Sequence, residues 1–121
     1  MKALRLTRPE PTEAMVLDAV KTALRLHPAV AWVERMNSGA AMIGEGKSRR
    51  FVRFGFKGCA DLIGQLQDGR FLAVETKRPS RRNGATEDQL AFLYRVRQFG
   101  GVGFVAWSAD EAWRQIDAAL S

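Results

Sequence analysis

Apolar positions along this chain change rhythm several times, and each change marks an element. Leu17, Val20 and Leu24 recur at helical spacing between Thr12 and Pro28, which predicts a first helix over residues 12–27. Residues 30–36 read as a strand and Asn37-Ser38-Gly39 as a turn. Further strands are predicted near 51–54, at 61–66 and at 71–77. Thr86-Glu87-Asp88-Gln89 is a capping box that opens a helix carrying Leu90, Leu93, Val96 and Phe99, with Gly100-Gly101 as its stop. A buried strand at 102–107 follows, and Ser108-Ala109-Asp110-Glu111 is a second box opening a last helix to about Leu120. The order is α-β-β-β-β-α-β-α. The strand-helix-strand run from 71 to 107 is long enough for a crossover, so its two strands should be parallel neighbours. The expectation is a single α/β domain, a mixed β-sheet flanked by helices, over residues 12–121. Residues 1–11, closing in Pro9-Glu10-Pro11, read as a flexible basic arm.

One strand breaks its own pattern. In Phe71-Leu72-Ala73-Val74-Glu75-Thr76-Lys77, alternation puts Phe71, Ala73, Glu75 and Lys77 on one face. That face begins apolar and ends in two charges, which are costly to bury without a partner, a metal or a substrate. The preceding hairpin decides whether Asp61 can join them. A two-residue loop at Asp68-Gly69 would pair Asp61 with Thr76, on the face away from Glu75. A three-residue loop, Gln67-Asp68-Gly69, gives Gly69 the left-handed position and sets Asp61 opposite Glu75. The three-residue register is the one expected here. Cross-strand neighbours lie roughly 4.5–5.5 Å apart at Cβ, near enough for two carboxylates to share a cation.

Composition narrows the partner. The 121 residues carry a formal net charge of +6, and most of the basic residues are Arg, whose planar fork suits phosphate. Nucleic acid is therefore the leading partner and an anionic membrane surface the weaker one. Cys59 and His27 are single, so a zinc site of several sulfur and nitrogen ligands is excluded, and a metal would be a hard cation held by oxygen. The lone cysteine also rules out an internal disulfide, which fits a reducing compartment. With no apolar leader at the start and no membrane-spanning run, the chain reads as cytoplasmic, with no membrane partner.

These residues form a chemically sensible set. Asp61, Glu75 and a backbone carbonyl of Thr76 can hold Mg²⁺ or Mn²⁺. Lys77, on the same face as Glu75, can orient an attacking water and offset charge on the phosphorus. Gln89, at the start of a helix a short loop away, belongs near the end of that strand. Each has an ordinary reading as well: Asp61 as a strand-end acid, Glu75 and Lys77 as an ion pair, Gln89 as a cap. Glu13 likewise reads either as an acid favouring its helix dipole or as a site residue, since the buried stripe projected back one turn meets it. Lys47, Arg49 and Arg50 in one loop, and Arg78, Arg81 and Arg82 in another, are phosphate contacts or solvated loop charges.

The ordered set Gly58-Cys59-Ala60-Asp61, Gly69, Glu75-Thr76-Lys77, Gln89 and Gly100 resembles the virus-type replication-repair nuclease family, VRR-NUC, of the PD-(D/E)XK nuclease superfamily. The likeness takes in Glu13 and Arg35-Met36-Asn37-Ser38-Gly39, and so spans most of residues 12–107. Ala60 departs from it, standing where many members have proline. The resemblance implies a PD-(D/E)XK nuclease fold and an Mg²⁺- or Mn²⁺-dependent endonuclease hydrolysing DNA. Asp61 and Glu75 would bind metal, Lys77 would be catalytic, Gln89 would support the site and Glu13 would join it. Small stand-alone members look like phage or prophage proteins that act on four-way junctions as homodimers, and two-fold symmetry would supply the second site this chain lacks room for. The alternative is a non-catalytic, basic DNA-binding module in which Glu75 and Lys77 are only an ion pair. A nucleophilic enzyme built on Cys59 and His27 is disfavoured, because neither residue has an activating sequence context.

Overall fold

The computed structural model describes residues 9–36, 40–53 and 55–121. Pro9-Glu10-Pro11 leads to α1 (Glu13–Leu26), which Thr12 caps by accepting the Met15 N–H at 3.2 Å. Strand β1 (Val30–Arg35) follows, then β2 (Ala40–Ile43), a 3₁₀ turn at Gly46–Ser48 and β3 (Arg50–Arg53). The hairpin β4 (Leu62–Leu66) and β5 (Phe71–Thr76) comes next, with a second 3₁₀ turn at Pro79–Arg81. Helix α2 (Glu87–Gln98), β6 (Val102–Ala106) and α3 (Ala109–Leu120) complete the order. The result is an α/β domain with a mixed sheet and, among the described residues, three α-helices. The expected arm 1–11 falls mostly outside the described residues, as do the turn at Asn37-Ser38-Gly39 and the strand end at Phe54.

The main sheet has the order β1-β4-β5-β6, with β4 antiparallel to both neighbours and β5 parallel to β6, as the crossover argument requires. The expected order is short by one strand. β2 pairs antiparallel with β3 in a separate two-stranded ribbon. Its four residues have no alternation to announce a strand: Met42 and Ile43 are both exposed, as is Phe51 on the partner strand. With Met42 and Ile43 exposed, an apolar pattern does not report this element.

The two faces of the sheet are covered unequally. Val16, Val20 and Leu24 of α1, with Ala112 and Ile116 of α3, pack on Leu62, Leu66, Leu72, Val74, Phe104 and Ala106. The opposite face takes α2, where Leu93 and Val96 meet the small Ala60 and Ala73. Val16, rather than Leu17, leads the buried stripe of α1. Leu90 in α2 and Phe99 at its C-cap are exposed, contrary to the predicted stripe. That helix lies against small residues, and its contact is the narrow ridge of Leu93 and Val96 with Phe92 beside it. A bulge between Val30 and Trp32 puts the extra residue Ala31 into β1, so Val30 and Val33 both face the core although three positions apart.

The hairpin holds the three-residue register. Leu62 pairs with Val74 and Gln65 with Phe71, and the Leu66 N–H donates to the Arg70 carbonyl at 2.9 Å. That leaves Gln67-Asp68-Gly69 as the loop, with Gly69 at φ +94°. A slip by one residue would turn Leu62, Leu66, Leu72 and Val74 out of the core, so burial enforces what the turn begins.

Candidate metal centre

Continuing that register one step past Leu62 and Val74 sets Asp61 across from Glu75 at the end of the sheet. Asp61 is fixed from both sides. Its carbonyl accepts the Met36 N–H at 2.7 Å, while Oδ2 accepts the Thr76 N–H and the Thr76 hydroxyl, each at 2.9 Å. The approach to Asp61 requires Gly58, at φ +85°, because a Cβ there would lie 2.4 Å from the Asp88 carbonyl oxygen in the first turn of α2.

Glu75 is 1% exposed. Its Oε1 accepts from Gln89 Nε2 at 3.1 Å and stands 3.9 Å from Lys77 Nζ. Its Oε2 is buried without a hydrogen-bond partner among the described residues. Such an orphaned acceptor is expensive unless a proton or a cation completes it. Glu13, at the first turn of α1, brings a third carboxylate. Oxygens of Glu13, Asp61 and Glu75 all lie within 4.8 Å of one another, and Lys77 Nζ is 3.9 Å from Glu13 Oε1 as well.

The electrostatics follow from burial. Removal from water, then the neighbouring charge of Asp61, push the Glu75 carboxyl up to about 9; Glu13 adds to the rise and Lys77 opposes it. Without a cation, Glu75 therefore carries a proton at neutral pH. The same environment, burial first and then the charges of Glu75 and Asp61, pushes the Cys59 thiol above its usual range. A thiol kept protonated and buried is a poor nucleophile, which agrees with setting the cysteine enzyme aside. His27 caps the far end of α1, bonded to Asp117 at 2.8 Å and packed on Trp113.

Asp61, Glu75, Thr76, Lys77, Gln89 and Glu13 are thus brought together. Gln89 does two jobs with one amide: Oε1 accepts the Thr86 N–H at 2.9 Å to complete the capping box, and Nε2 holds Glu75. Thr76 contributes an amide and a hydroxyl that both orient Asp61. The backbone of Lys77 is held by its N–H on the Ala106 carbonyl at 3.0 Å. Lys47 and Arg49 are exposed between β2 and β3, and Arg50, expected in that loop, is the exposed first residue of β3. Arg81 and Arg82 are exposed after Lys77, but Arg78 is engaged by Glu10 at 3.0 Å. Glu10 also binds Ser80, so Pro9-Glu10-Pro11, read from sequence as the end of a loose arm, is tied to the loop behind the site. Nothing local marked Glu10 or Ser80 in the sequence, because their partners are about seventy residues away.

The donor set fits a hard divalent cation: three carboxylates, one of them buried with an unused oxygen, and no sulfur or nitrogen ligand among them. Among the described residues no helix is long and apolar enough to cross a membrane. No protein-family model matches the chain, and no curated protein matches it either.

Proposed function

We propose that the chain is a divalent-metal-dependent endonuclease of the VRR-NUC type, with a PD-(D/E)XK nuclease fold. Its substrate is DNA, with branched forms such as the four-way junction preferred, and it acts as a homodimer. By the same resemblance it is a phage or prophage protein working in the bacterial cytoplasm. The observation that carries the chemistry is the seat of Glu75: a fully buried carboxylate with one oxygen unpartnered among the described residues, facing Asp61 and beside Lys77.

Asp61, Glu75 and Glu13 would hold Mg²⁺ or Mn²⁺, with the Thr76 carbonyl as the further ligand expected from sequence. The cation would supply Lewis-acid polarisation and neutralise charge at the phosphate. The chain's own residues do the rest. Thr76 keeps Asp61 aimed at Glu75 through two hydrogen bonds, and Gln89 keeps Glu75 from turning away. Lys77, only 14% exposed at its side chain, presents an ammonium where an attacking water and a phosphate oxygen would meet. The net charge of +6 draws the polyanion to the surface.

One observation favours a second reading: Lys77 lies 3.9 Å from both Glu13 and Glu75, so the cluster already balances part of its charge as ion pairs in a basic DNA-binding module. Incubation with a labelled four-way junction, beside a linear duplex and a flap, separates the two. The nuclease reading expects cation-dependent junction cleavage that Asp61→Ala and Lys77→Ala abolish while binding persists. Intact DNA binding with no cleavage, over a range of metals and salt, leaves the binding module.

A further inference from the structure

Directly behind Lys77 the chain holds a carboxylate of its own in a seat built for an anion. Glu10 Oε2 accepts from Arg78 Nε at 3.1 Å and from the Ser80 hydroxyl at 2.9 Å, and Arg78 Nη2 lies 3.0 Å from it. Glu10 Oε1 accepts the Ser80 N–H. A guanidinium fork, a hydroxyl and a backbone amide converging on two oxygens are the donors that nucleic-acid phosphates meet on proteins. The contact is open to solvent, with Glu10 28% and Arg78 41% exposed at their side chains. An ion pair in that setting is weak and exchangeable. The prolines on either side of Glu10 restrict its backbone, so the carboxylate is presented there at little cost in chain entropy.

We propose that Arg78 and Ser80 form a binding position for a phosphate of the nucleic-acid backbone, and that Glu10 fills it as an internal stand-in until a strand displaces it. The inference rests on the reading of the chain as a DNA-cleaving protein, and it adds a gate to that reading. Arg78 is available to DNA only when Glu10 leaves, so weakly bound polyanions compete against an intramolecular carboxylate. The donors that seat Glu10 also hold its own carboxyl below the usual range, the Ser80 amide and hydroxyl most of all, so the stand-in is charged like the phosphate it replaces.

The test measures binding in EDTA, so that it does not depend on cleavage. For a fluorescent four-way junction, Glu10→Gln should bind roughly tenfold tighter than wild type, with a salt slope steeper by about one. Asp18→Asn, which removes an exposed acid on α1 instead, should not do this. In an Arg78→Ala background Glu10→Gln should gain nothing. Equal or weaker binding by both Glu10→Gln and Glu10→Ala, with unchanged thermal melting, would overturn the proposal. So would a gain that survives Arg78→Ala, because it would then be a general charge effect. Should the wild-type chain bind no DNA, the nuclease reading fails, and the Ser80 amide resonance under titration with inorganic phosphate still decides the position. A shift toward its value in Glu10→Gln supports displacement, and a resonance that stays put rejects it.

Discussion

Two glutamates stand on either side of Lys77-Arg78 and meet opposite conditions. Glu75 is sealed beneath the first turn of α2 with one oxygen bonded to Gln89 and the other without a partner among the described residues, and its proton affinity rises to about 9. Glu10 is open to solvent with both oxygens occupied by Arg78 and Ser80, and its proton affinity falls below 4.5. The side chain is the same. What differs is whether loss of water comes with replacement donors: Glu10 keeps its solvent and gains donors, while Glu75 loses its solvent and gains another acid. The first arrangement settles an anion, and the second leaves a carboxyl that holds a proton until a cation takes its place.

The largest test of this contrast removes the groups around Glu75. Asp61→Ala or Lys77→Ala should lower cation-dependent junction cleavage by roughly 10²–10⁴-fold in single-turnover assays, with binding in EDTA little changed. Wild-type rates in either variant would place the chemistry elsewhere.

Next in size is the pH dependence of stability without a divalent cation. The folded-state value of Glu75, about 9, lies above its ordinary 4.5, so the folded chain holds a proton that the unfolded chain has released. The stabilisation is fully present below 4.5 and is lost as pH rises through about 9. Denaturant melts should show that decline, of the order of a few kcal/mol, and Glu75→Gln should flatten it. Mg²⁺ or Mn²⁺ should offset the decline in the wild type and do much less in Glu75→Gln. A flat profile in both proteins would mean that Glu75 is better solvated than its burial indicates.

The facing of Asp61 and Glu75 can itself be loosened at the turn. Nothing lies within 4 Å of a Cβ built on Gly69, yet its φ is +94°. Gly69→Ala should therefore cost about 1 kcal/mol from backbone conformation alone in chemical melts, without a change in register. A larger loss together with loss of cleavage would show that the loop, more than Leu62 and Leu72, holds the two acids opposite each other.

The smallest effect is at Glu10. Its lowered value means that its stabilising contacts are present above 4.5 and are lost as pH falls below that. The Ser80 amide resonance should titrate with a midpoint under 4.5 in the wild type and stay flat in Glu10→Gln. A midpoint at or above 4.5 would mean that Arg78 and Ser80 do not seat the carboxylate in solution.

Much of this arrangement is legible in the sequence. The capping box at Thr86-Glu87-Asp88-Gln89 and the turn glycine Gly69 act over three residues or fewer, so local chemistry placed the start of α2 and the register of the hairpin. From these, the meeting of Asp61 and Glu75 follows by counting. β2 escaped because its exposed Met42 and Ile43 bury nothing that a pattern can record. The exposed Leu90 and Phe99 misled because helical spacing does not say how wide a face the sheet offers.

The sequence by itself determined which residues could serve as hard-metal ligands and on which strand ends they fall, because alternation and turn length are properties of neighbouring residues. Only the tertiary structure decided that Glu75 is sealed from water with an unused oxygen, that Gln89 caps and clamps with one amide, and that Glu10 occupies Arg78 and Ser80. Those facts depend on segments distant along the chain arriving at one place. Burial and charge pairing are set by that arrival rather than by any local run of residues.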